Sequence, residues 1–145
     1  MTSTWRQPVR RLGYLVVCLM LAACSGISFE DQNKVEGTYT LRSILGAPLP
    51  YALGDGQSAI ITSGVLTLEG DGDWSEVLSY TIPENGQIVS KVSSDGGRWM
   101  LRNPNVELIT SSGGSYFGLY SNQNGPKLEL ARPVPRQQSL YVYTR

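Results

Sequence analysis

Residues 35–42 read Val35, Glu36, Gly37, Thr38, Tyr39, Thr40, Leu41 and Arg42. On an extended chain Val35, Gly37, Tyr39 and Leu41 fall on one side, and Glu36, Thr38, Thr40 and Arg42 on the other. That is the two-residue period of a strand with one buried face. Leu66 with Leu68, and Trp74 with Leu78, Tyr80 and Ile82, repeat it. Further strands are predicted over Ile88–Val92, Arg98–Arg102, Val106–Thr110, Tyr116–Tyr120, Lys127–Arg132 and Leu140–Thr144. With a weaker candidate at Gln57–Thr62 this makes about ten segments, from which eight or nine strands are expected. Gly and Pro recur between them, from Gly46, Pro48 and Pro50 to Pro133 and Pro135, and no stretch sustains a helical period over three turns. Connections this short leave no room for helical crossovers, so neighbouring strands should pair antiparallel. The fold class predicted is all-β, an up-and-down antiparallel barrel of about eight to nine strands.

The N-terminus has a different character. Arg6, Arg10 and Arg11 precede an apolar run from Leu12 to Ala23. A helix of that length spans about 18 Å, against about 30 Å of bilayer hydrocarbon. The run therefore reads as the apolar region of an export signal over residues 1–23, not as a membrane span. It ends in Leu21, Ala22, Ala23 and Cys24, which resembles the lipobox of bacterial lipoproteins. The resemblance implies a lipid on the Cys24 sulfur and a mature chain that starts there, followed by a tether over 24–34 and a domain over 35–145. A helical turn capped by Ser28 is expected at the end of the tether. Ser25, after the cysteine, resembles outer-membrane sorting in a two-membrane bacterium. The localisation implied is the cell envelope, at the periplasmic face of that membrane.

The whole chain of 145 residues carries 12 basic and 12 acidic residues and no histidine. The absence of histidine excludes Ser-His-Asp and Cys-His nucleophile pairs and His-ligated zinc. Residues 24–145 keep 9 basic residues against 12 acidic, a net charge of −3. Nucleic acid is then excluded as an expected partner, since phosphate binding needs a basic footprint. Cys18 leaves with the signal and Cys24 carries lipid, so no thiol remains for a disulfide or a nucleophile. Stability has to come from an apolar core, and 122 residues suffice for one.

A family resemblance rests on four stretches: Val35–Tyr39, the loop Gly46–Pro50, the hairpin Gly70–Trp74, and the ending Tyr141, Val142, Tyr143, Thr144, Arg145. Together they resemble the small lipocalin-like domains of bacterial secreted lipoproteins. The resemblance implies that Gly37 and Tyr39 fill the family's GxW positions, with Tyr in place of Trp. It also implies that Arg145 packs over Tyr39 to close the barrel floor.

Chemistry-bearing clusters are few. Glu69, Asp71, Asp73 and Glu76 crowd together, but Glu76 stands where a calcium loop needs glycine and Ile82 where it needs a bidentate glutamate, so a hairpin turn is the better reading. Gly54, Asp55 and Gly56 read as a loop. Glu76 shares a face with Trp74, Leu78 and Tyr80. Its place near a hairpin end favours a wet rim, whereas an inward face would make it a buried carboxylate of raised pKa or a ligand anchor. No catalytic residue, metal site or cofactor is expected. The inward positions Tyr39, Leu41, Leu66, Leu68, Trp74, Glu76, Leu78 and Tyr80 are the candidate cavity lining. The function expected is a membrane-tethered lipocalin-like lipoprotein that binds a small hydrophobic ligand. The alternative is an envelope structural or protein-interaction module with a filled barrel. The sequence leaves the oligomeric state open.

Overall fold

The computed structural model describes residues 29–53, 59–134 and 137–145. The expected export signal, Cys24, the expected Ser28 cap and the Gly54–Gly56 stretch lie outside them. A short helix, α1 (Phe29–Val35), leads into ten strands: β1 (Gly37–Ile44), β2 (Ala47–Pro48), β3 (Tyr51–Ala52), β4 (Ile60–Leu68), β5 (Asp73–Glu84), β6 (Gln87–Arg102), β7 (Asn105–Thr110), β8 (Ser115–Ser121), β9 (Lys127–Val134) and β10 (Gln137–Thr144). Every pairing between these strands is antiparallel, and from β4 to β10 each strand pairs with the next.

β1 closes the sheet on itself by dividing its length between two partners. Its first half lies against β4, with Gly37 opposite Leu68 and Tyr39 opposite Leu66, and its second half lies against β10, with Leu41 opposite Tyr143. A register shift between Leu41 and Ser43 lets one strand serve both directions. Eight strands thus form a closed up-and-down barrel, and two-residue β2 and β3 are appended to β1 and β4. Closure removes the sheet edges that an open meander would expose.

The core follows from the alternation. Tyr39, Leu41, Leu66, Leu68, Trp74, Trp99, Leu101, Val106, Leu108, Leu128, Leu130, Tyr141 and Tyr143 are all buried and belong to one cluster. The two indoles are satisfied by backbone carbonyls across the sheet, Trp74 Nε1 donating to Ile109 O at 3.0 Å and Trp99 Nε1 to Glu69 O at 2.8 Å. At the turn between β4 and β5, Asp71 Oδ1 accepts from the Asp73 N–H at 3.1 Å and Gly72 takes a φ of +88°. Arg98 bridges to Asp73 at 2.6 Å, so these acids serve a hairpin.

Three local expectations are corrected. Val35 ends α1 instead of opening the first strand, although its side chain still joins the core. Ile88–Val92 and Arg98–Arg102 are not separate strands: β6 runs through Gly96 and Gly97 without a break. The glycines permit close approach, since a Cβ on Gly97 would sit 2.0 Å from Ile109 O and one on Gly96 would sit 2.9 Å from Trp74 O. Likewise Ile60–Thr62, the end of the weak Gln57–Thr62 segment, and the Leu66–Leu68 segment are one strand, β4, with a register shift between Ile61 and Ser63, while Gln57 and Ser58 lie outside the described residues.

Candidate functional site inside the barrel

The eight inward candidates do share the interior, but at two depths. Tyr39, Leu41, Leu66, Leu68, Trp74 and Glu76 are buried, whereas Leu78 and Tyr80 are only partly so. The difference follows position along β5. Trp74 and Glu76 are near the β4–β5 turn, while Leu78 and Tyr80 climb towards the end where Tyr51 of β3 meets Ile61, the residue opposite Tyr80. Leu49, Tyr51, Leu53 and Tyr116 are also partly buried against the core. The core residues nearest α1 are thus fully buried, and the tyrosines and leucines farther up are only half-buried.

Glu76 is the correction that matters most here. It is 2% exposed, not a rim residue. Its Oε1 accepts from the Tyr143 hydroxyl and its Oε2 pairs with Arg132 Nη2. Burial raises its pKa above the ordinary 4.5, and the Arg132 charge and the Tyr143 hydrogen bond offset that only in part. Tyr143 is driven up as well, by burial first and then by the Glu76 charge.

Arg132 sits at the centre of the group. Its side chain is 11% exposed, with its guanidinium carbon 4.5 Å from the Tyr116 ring centroid and 5.4 Å from that of Tyr141. The Tyr116 hydroxyl in turn donates to Asp95 Oδ2 at 2.9 Å, and its ring meets Trp74 edge-on at 6.1 Å. Arg132 Nε is buried and has no hydrogen-bond acceptor among the described residues. A buried guanidinium paired on one side and unsatisfied at Nε is a donor site. Sequence reasoning passed over Arg132, Tyr143, Tyr116 and Asp95 as a group. One signal was present: Leu128, Leu130 and Arg132 share a face, and the first two are core.

At the floor, Arg145 Nη1 donates to the Glu36 carbonyl, and its guanidinium carbon lies 5.9 Å from the Tyr39 ring centroid. Gly37 leaves the space, for a Cβ there would fall 2.7 Å from Arg145 Nη1. The Tyr39 hydroxyl donates to Val35 O, and burial pushes its pKa up to about 12. From beside the floor, the Tyr120 hydroxyl donates to Lys34 O at 3.1 Å, tying α1 to the barrel. Among the described residues no group of three or more His, Cys, Asp or Glu is placed to hold a metal.

Fold and site together define a closed, eight-stranded, up-and-down antiparallel β-barrel with an ion pair inside it. No family model and no curated protein was found to match the chain.

Proposed function

We propose that this chain is a lipid-anchored, lipocalin-like barrel of the bacterial cell envelope that holds a small, largely apolar ligand in the upper part of the barrel. The observation that carries the reading is Arg132, a nearly buried donor with an unsatisfied Nε that is paired with Glu76, the β5 neighbour of half-buried Leu78 and Tyr80. Pockets that take small ligands are mostly apolar with a few placed polar groups, and this end of the barrel has that composition. Glu76 already neutralises Arg132, and Asp95 adds a second carboxylate through Tyr116. The anchor therefore favours an uncharged acceptor, such as a hydroxyl, ester or amide, on an apolar body.

The test is a titration of the full chain with an apolar fluorescent probe, competed by a long-chain alcohol and by the matching fatty acid. Saturable emission displaced better by the alcohol is expected. Leu78→Trp should block the probe with little change in melting temperature. Leu66→Trp enters the packed region and should cost about 1 to 3 kcal/mol. Absence of saturable emission would sink the ligand reading and leave the filled interaction module, which the open edge described below favours. The anchor is tested separately: Cys24→Ala should abolish labelling by a fatty-acid analogue, and unchanged labelling would overturn it.

A further inference from the structure

We propose that the upper part of β6 is a docking edge for a second copy of this chain, the two β6 strands joining antiparallel about a two-fold axis at Ser90. β6 spans Gln87–Arg102, but β7 pairs only with Gly97–Arg102. From Gln87 to Asp95 the strand pairs with β5 on one side and, among the described residues, with no strand on the other. Shorter unpaired ends occur at Ile82–Glu84 of β5 and Arg132–Val134 of β9, and the β6 stretch is much longer than either.

The direction of the free groups can be read from the last bond before β7 begins. Gly96 O accepts from Ser111 N at 2.9 Å, on the side away from β5. In an antiparallel strand this orientation alternates, and β5–β6 pairing runs without a register shift. Ile88, Ser90 and Val92 therefore turn their N–H and C=O groups outward. The usual protections of an edge are missing: there is no proline and no bulge from Gln87 to Asp95. The one lysine, Lys91, is held by Glu84 of its own hairpin at 3.2 Å.

The occupant is fixed by self-complementarity and by size. With the axis at Ser90, Ile88 of each copy faces Val92 of the other, on the face where they are 71% and 65% exposed. Val89 faces Lys91 on the opposite face. Moving the axis to Lys91 would set two ammonium groups directly opposite, which is unfavourable. Moving it to Val92 would bring Ile88 of one copy onto Gly96 of the other, where Ser111 already bonds. The Ser90 register makes three hydrogen-bonded residue pairs, hence about six backbone hydrogen bonds. At one bond per 100–200 Å², that is an interface of roughly 600 to 1,200 Å². Stable dimers start near the top of this range, so the contact is a reversible one.

Ser90→Cys in the full chain, treated in its own membranes with a short thiol cross-linker, tests the register. Ser90 is exposed, so the fold tolerates the change. Cross-linked homodimer above the level of the parent chain is expected. Ser94→Cys, which the register places opposite Gly86 at the hairpin tip, should stay at the parent's level. Val92→Lys added to Ser90→Cys should lose the product while its melting temperature is unchanged. The proposal is overturned if Ser90→Cys stays monomeric, if Ser94→Cys cross-links equally well, or if Ser90→Cys joins a foreign chain instead of its own copy.

Discussion

Glu76 is a carboxylate that folding withdraws from water, with Arg132 and Tyr143 as its polar partners. Because its pKa is raised in the folded chain, its contribution to stability is complete below the ordinary value of 4.5 and is lost as pH rises towards the raised value. Between the two values the unfolded chain releases the proton that the folded chain keeps. Glu76→Gln has no such loss, so its melting temperature should gain on the parent's through that window. A difference that stays constant with pH would contradict the burial argument. Arg132→Met leaves Glu76 without its cation and should cost about 3 to 5 kcal/mol where Glu76 is ionised, and less where it is protonated. Denaturant midpoints at two pH values check this. Glu76 was visible in the sequence as an inward-capable acid. Its partner was not, because cross-barrel neighbours depend on strand register and closure, which a two-residue period does not encode.

At the level of elements, β6 shows how glycine can be misread. Gly96 and Gly97 look like a turn between two short strands, yet they lie inside the longest strand of the barrel. Their role is set by what comes close: the Ile109 carbonyl occupies the space that a Gly97 side chain would need. Gly97→Ala should therefore destabilise by about 1 to 3 kcal/mol through overpacking. Gly114→Ala, whose Cβ would meet only the Thr110 hydroxyl at 3.3 Å, should cost clearly less. Equal losses in chemical denaturation would mean that the close approach is not the cause. β5 and β7 to β10 were legible because each lies between turn residues and keeps one apolar face, whereas two-residue β2 and β3 are too short for any alternation and β2 lies in the stretch Gly46–Pro50 read as a loop. α1 was legible only as a turn, since seven residues are too few for a helical period to stand out.

For the molecule as a whole, the first and last strands have to meet, and Tyr39 and Arg145 meet with them. A guanidinium near a phenol ring contributes about 0.5 to 2 kcal/mol, and 5.9 Å places this pair at the weak end. The double-mutant cycle of Tyr39→Leu and Arg145→Met should show a small positive coupling in denaturant unfolding. Additivity would mean that closure rests on the β1–β10 ladder alone.

The all-β class, most of the long strand segments and the apolar face of each were legible from the amino-acid order, because side-chain alternation is a property of the local extended backbone. Three further features come from contacts between distant segments. β1 is shared between β4 and β10, Glu76 lies against Arg132 in the interior, and β6 runs past the end of β7. Each depends on the depth at which a residue sits along the barrel axis. That depth is set by register shifts and closure between segments far apart in the chain, where local patterning carries no information.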